Sequence, residues 1–142
     1  MPELSLAQAN QIIQAALAEA RARNTKPMGV VVLDAAGQPK AAQREDGATA
    51  FRMQIAEGKA GAAIAMSVNS RGLVKRAADN PSFFAALATA GQGKFIPQVG
   101  AVLILDDAGN VIGAAGASGD TGDQDEAICI EGIKRSGLRV AE

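Results

Sequence analysis

The segment GAVLILDDAGNVIGAAGASGDTGDQDE, residues 100–126, holds two strands, a tight turn, a loop of small residues and a helix start. Residues 101–105 are apolar and mostly β-branched or leucine. Asp106-Asp107-Ala108-Gly109-Asn110 is turn chemistry, and Val111 to Ala117 is a second strand thinned by Gly113 and Gly116. Two such runs around a short turn make a β-hairpin. Glycine inside a strand marks a bulge or a close backbone approach, so Gly113, Gly116 and Gly119 predict a place where a ligand or a neighbouring chain comes near.

Upstream, Val31-Val32-Leu33-Asp34-Ala35-Ala36-Gly37 echoes Leu103-Ile104-Leu105-Asp106-Asp107-Ala108-Gly109. A second hairpin therefore runs from Met28 through an Asp34–Gln38 turn to Pro39–Arg44, with Pro39 placing the latter strand at an edge or at its first residue. Helices flank the hairpins. Ser5 and Gln8 form a capping box, and apolar residues keep helical spacing to about Arg23. Thr49 to Ser67 is helical with Phe51, Ile55 and Ile64 among its apolar anchors; Gly58 and Gly61 inside it predict close packing on a strand or a partner helix. Asn69 or Ser70 starts a short helix to about Asp79, and Asn80-Pro81 starts another to Ala90 that carries Phe83, Phe84 and Leu87 inward. The last helix has a Thr121–Gln124 capping box, acidic residues in its first turn, Lys134 and Arg135 in its last, and Gly137 beyond. Hairpins in place of βαβ crossovers imply an antiparallel sheet covered by helices, an α+β fold. Four strands are evident, and Lys94–Gln98 is the candidate for a fifth.

The chain has 142 residues, a net charge of −1 and no histidine, tyrosine or tryptophan. This length fits one domain over 1–142. Basic residues are scattered, which argues against nucleic acid or an anionic membrane surface as the main partner. Without histidine, His-based triads, His-ligated zinc and proximal-His haem are all impossible within one chain. A core with few aromatics is built from Ala, Val, Ile and Leu, and small side chains let elements approach closely. The single Cys129 lies among isoleucines and reads as a small core residue. One cysteine and no secretory pattern at the N-terminus predict a cytoplasmic protein.

Polar residues gather at the ends of the two hairpins. Asp46, Asp120 and Asp125 are the candidate acid–base groups. Arg44, Glu45, Lys59, Ser118, Gly119, Gln124 and Glu126 are the candidate ligand-binding residues, and no metal set stands out. If the hairpin ends converge, the Arg44 guanidinium faces backbone amides of the Ser118 loop, an arrangement suited to a small carboxylate. The simpler readings are a structural Arg–Asp pair and acidic residues that only complement the helix dipole. The glycine-rich run matches neither phosphate-loop fingerprint.

Val30–Asp34 with Gly37, Arg44-x-Asp46-Gly47-Ala48, Lys59-Ala60, Ile112–Gly119 and Gln124-Asp125-Glu126 occur in this order along nearly the whole chain. In this the sequence resembles the GlcG/HbpS family, the haem-degrading domain also found at the C-terminus of PduO-type proteins. The resemblance implies a profilin-like fold in α/β/α layers, with a five-stranded antiparallel sheet between helices, and a homo-oligomer. It also implies haem or tetrapyrrole binding in some members and links to organic-acid catabolism in others. Some members bind haem through histidine, so no iron ligand transfers to this chain; Met28, Met53, Met66, Cys129, a lysine or surface oxygen ligands are the alternatives. Two functions follow: a module for a small anionic ligand, or a metal-independent enzyme acting on an organic acid. A third is a structural subunit whose small-residue helix faces serve assembly.

Overall fold

The computed structural model describes residues 3–142. Helix α1 spans Leu6–Ala22 and opens on the expected capping box, with the Gln8 amide donating to Ser5 Oγ (3.0 Å) and the Ser5 amide to Gln8 Oε1 (2.9 Å). Strands β1 (Gly29–Asp34) and β2 (Pro39–Arg44) form the first hairpin, followed by α2 (Phe51–Met66). A 3-10 turn (Ser70–Leu73) leads into α3 (Val74–Asp79) and α4 (Pro81–Ala90). Strands β3 (Ala101–Leu105) and β4 (Val111–Ser118) form the second hairpin, and α5 (Gly122–Arg135) and β5 (Arg139–Val140) complete the chain.

The sheet order is β2-β1-β4-β3-β5, with every neighbouring pair antiparallel. The expected α+β architecture of five antiparallel strands between helices is what forms. The two hairpins meet through β1 and β4, paired from Gly29↔Ser118 to Asp34↔Gly113. Alternation then divides the core. Val30, Val32, Ala115 and Ala117 face α1 and α5, while Val31, Leu33 and Ala114 face α2. Both faces of β1 are covered, which is why it reads as an unbroken apolar run.

The echo between the hairpins is one turn solution used twice. Asp34 Oδ1 accepts from the amides of Ala36 (2.9 Å) and Gln38 (3.0 Å), and Asp106 Oδ1 from those of Ala108 (3.0 Å) and Asn110 (2.8 Å). Gly37 and Gly109 follow at φ 81° and 87°, the left-handed region that glycine enters without steric cost. Each strand pair also shifts register beside its turn, at Val32/Leu33 and at Ile104/Leu105.

Several expectations change. The fifth strand is Arg139–Val140 on the β3 edge, and Lys94–Gln98 is irregular chain. Pro97 has no amide for a ladder, and the Ile96 amide donates instead to the Gly58 carbonyl (2.9 Å). Gly58 and Gly61 are therefore small because this segment lies on them: a Cβ at 58 would sit 2.6 Å from Ile96 Cδ1, and one at 61 would overlap the Lys94 carbonyl. Asn69 and Ser70 do not cap a helix with their side chains. Asn69 Oδ1 accepts from the Leu103 amide (2.8 Å), and Ser70 Oγ from that of Ala101 (2.9 Å), so both satisfy the β3 edge beyond the short β5. Phe84 is buried, but Phe83 and Phe51 are 48% and 62% exposed. No helix among the described residues is long and apolar enough to cross a membrane.

Candidate functional site

Strand β4 ends at Ser118, and the chain turns through Gly119–Thr121 into α5. Gly119 lies against Pro27 and Met28 so closely that a Cβ would overlap the Pro27 carbonyl. The expected close approach at Gly113, Gly116 and Gly119 is thus the chain's own: Leu33, Ala56 and Pro27 carbonyls occupy those places. Asp120 fastens the turn. Its Oδ2 accepts from the Lys26 amide (2.9 Å) and its Oδ1 from the Thr121 amide (2.7 Å), and these bonds hold its carboxyl below the usual aspartate range.

The next layer is buried. Asp125 is 1% exposed; its Oδ1 accepts from the Asp120 amide (3.0 Å) and its Oδ2 from Lys59 Nζ (3.1 Å). Lys59 Nζ also donates to the Ala117 carbonyl (3.1 Å). Burial pushes the Asp125 carboxyl above its ordinary range, opposed by the Asp120 amide and by Lys59. Gly100, at φ 141°, makes room for the lysine, since a Cβ there would stand 2.6 Å from Nζ.

Above this pair opens a cavity of about 400 Å³ whose α2 wall is Arg52, Ile55 and Lys59 and whose opposite side is Ser118 and the start of α5, where Asp120, Asp123 and Asp125 also line it. Arg52 Nη1 donates to Ser118 Oγ (3.2 Å). Among the described residues Arg52 forms no salt bridge. A guanidinium beside a hydroxyl and the first amides of a helix can bind a carboxylate bidentately.

Lys59, Ser118, Asp120 and Asp125 thus come together as expected. Arg44, Glu45 and Asp46 do not join them. Arg44 and Ser118 both pair with Gly29, from β2 and β4, but the first turn of α2 covers Gly29, with Met53 Sδ where a Cβ would be 2.7 Å away. Arg44 Nη1 instead donates to the Ala48 carbonyl (2.7 Å) and lines a separate hollow with Asp46. Glu45 accepts from Arg21 Nε (3.0 Å) and the Met28 amide (2.9 Å), tying α1 to β1. The shared hollow expected of Arg44 and Ser118 does not form, and its guanidinium is Arg52's. Gln124 gives only half a capping box: its amide donates to Thr121 Oγ1 (3.3 Å) while its side chain accepts from Arg23 (3.3 Å). Glu126 and Asp123 pair with Arg71 on the surface.

Arg52 was missed from the sequence; the one signal for it is that Arg52, Ile55 and Lys59 share a helix face at i, i+3 and i+7. Gln98 and Val99, which also line the cavity, carry no sequence signal.

The lining offers no histidine, cysteine or methionine to iron. Met28 and Cys129 are fully buried, and burial drives the Cys129 thiol far above its ordinary range, so no thiolate is available. No cluster of metal-ligating side chains occurs among the described residues. Of the sulfur and nitrogen alternatives named from the sequence only a lysine, Lys59, lines this cavity, and its ammonium is taken up by Asp125.

Because Asp120 ionises more readily folded than unfolded, its contribution is full above the ordinary aspartate range and is lost as pH falls through its lowered folded value. The stability gap between the native chain and Asp120→Asn is therefore expected to narrow across that acid window in denaturant unfolding. A gap that stays constant would show that the two amide bonds do not depend on the charge.

The pattern that defines haem-degrading, HbpS-like proteins matches residues 4–134. A crystal structure of a PduOC:haem complex superposes with a TM-score of 0.86 at 26% identity, covering 99% of this chain and 100% of that one. Protein ORFY of Klebsiella pneumoniae gives 0.85 at 24% identity over 96% and 93% of the two chains, and a variant of Streptomyces reticuli HbpS gives 0.81 at 24% over 95% and 88%. No curated protein sequence matches the chain.

Proposed function

The chain belongs to the HbpS-like family of haem-degrading proteins, and from that we propose that it is a small-ligand-binding protein whose cavity takes the carboxylate of an organic acid. The observation that carries this reading is Arg52, a guanidinium at a cavity wall with only a serine hydroxyl as its partner among the described residues. Ser118 and the opening amides of α5 supply further donors. Haem, the ligand of the PduOC complex, or another tetrapyrrole fits the same reading through its propionates, with the macrocycle outside the cavity. Self-association into a homo-oligomer is part of the proposal, supported by the exposed Leu6, Phe51 and Phe83.

Titration calorimetry with pyruvate tests it. Arg52→Ala is expected to weaken binding by at least ~10-fold, because a hydrogen bond to a charged group contributes about 1.5–3 kcal/mol. Unchanged affinity would remove Arg52, and with it the reading. Haemin followed at its Soret band tests the tetrapyrrole version. Displacement by pyruvate supports propionates at Arg52, and binding that pyruvate does not disturb places the macrocycle elsewhere.

One observation favours a second reading, a metal-independent enzyme acting on the bound acid. Asp125 is a buried carboxyl, raised by burial and in contact with a lysine at the same cavity, a setting that suits proton transfer.

A further inference from the structure

Lys59 is 5% exposed, and it lines the cavity together with its partner Asp125. Its ammonium meets two acceptors, the Ala117 carbonyl and Asp125 Oδ2, each at 3.1 Å; the third N–H has no acceptor among the described residues. Stability alone does not account for such a pair, since buried ion pairs are commonly matched or bettered by apolar residues of similar volume. The fold also gives up a side chain at Gly100, in a backbone conformation that other residues rarely adopt, to admit the amine. Arg52 and Lys59 lie seven residues apart on one face of α2 and reach consecutive residues of β4, Ser118 and Ala117. A carboxylate held by the guanidinium would bring its neighbouring carbon towards the amine.

We infer that Lys59 is a nucleophile that forms an imine with a small 2-oxo acid whose carboxylate rests on Arg52. The inference builds on the carboxylate reading above and adds a covalent step. Asp125 takes a proton from the ammonium, and the freed nitrogen pair attacks the ketone carbon while the C=O π pair moves to oxygen. Asp125 returns that proton to the alkoxide, giving a carbinolamine. It then accepts a second proton from nitrogen and delivers it to the hydroxyl, which leaves as water. Both hydrogens of that water come from the ammonium, the third stays on the iminium nitrogen, and the C=O bond is exchanged for C=N with no change of oxidation state. The burial that raises the Asp125 carboxyl suits it to hold the proton in transit.

The test is reductive trapping. The full chain is incubated with pyruvate and sodium cyanoborohydride, digested, and mapped by mass spectrometry beside a calorimetric titration with pyruvate alone. The reduced adduct is expected on Lys59 at least ~10-fold faster than on Lys75, because a bound reactant gains in effective molarity, although the Lys75 side chain is 86% exposed. The native chain reports its own modified residue, so the result does not depend on a variant that folds. Arg52-dependent binding with adducts only on exposed lysines overturns the imine and leaves the carboxylate reading standing. Trapping on Lys59 that is equally fast in Arg52→Ala keeps the imine and overturns the Arg52 clamp. Neither binding nor trapping overturns both.

Discussion

Asp125→Ala is expected to destabilise the fold by about 3–5 kcal/mol, the range for removing one partner of a buried ion pair. Both members are nearly buried, at 1% and 5% exposure, so the orphaned Lys59 charge is left in a largely desolvated place without Asp125 Oδ2. The loss is larger than that of one salt bridge, because the Asp120 amide also loses its acceptor and the turn into α5 loosens with it. For a chain of this size the melting temperature should fall by roughly 10 °C. The double variant Lys59→Met, Asp125→Leu separates the explanations. Replacing both charges by apolar groups should recover most of the loss, leaving the unpaired Asp120 amide, at about 1–3 kcal/mol, as the remainder. It should also abolish trapping by cyanoborohydride, so stability and chemistry part company in one protein. Denaturant unfolding reads all three chains. A cost below about 1 kcal/mol for Asp125→Ala would mean that solvent screens the pair as it screens a surface bridge, and the reading of a desolvated pair would fail.

The hairpins were legible because their chemistry is local: an aspartate, two residues and a glycine specify the turn whatever packs above it, and both turns use it. The same holds for the Ser5 cap of α1. Features set by distant chain were less legible. Arg139–Val140 is too short to show periodicity and is a strand only because the β3 edge has amides to satisfy. Thr121–Gln124 has the spacing of a capping box, but Arg23, brought from the other end of the sequence, takes the glutamine side chain. The site divides likewise. Ser118, Asp120 and Asp125 lie within eight residues of one another, and their convergence follows from a strand leading into a helix. Arg44 was paired with them because both hairpins end at the same end of the sheet, and the registers Gly29↔Arg44 and Gly29↔Ser118 do bring those ends side by side. What the sequence did not reveal is that α2 descends over Gly29 between them and brings its own arginine.

That descent can be blocked at one atom. A Cβ at Gly116 would overlap the Ala56 carbonyl and stand 3.1 Å from Ala60 Cβ, and the overlapped group is helix backbone that no rotamer change can move aside. Gly116→Val is therefore expected to cost about 3 kcal/mol, the upper part of the range for overpacking, since α2 must rise as a body from β4. Gly72→Ala is the control, with its nearest neighbour 3.9 Å away and no left-handed backbone, and it should leave stability within about 0.5 kcal/mol of the parent. The consequence for function is the sharper test. Arg52 and Lys59 both ride on α2 and reach Ser118 and Ala117 on the strand that carries Gly116. Lifting the helix should pull both cations back from those partners, so the fraction of Gly116→Val that still folds should bind pyruvate at least ~10-fold more weakly. Native-like affinity in a destabilised Gly116→Val would show that the cavity keeps its shape without α2 seated on β4, and the placement of both cations by that contact would then be wrong.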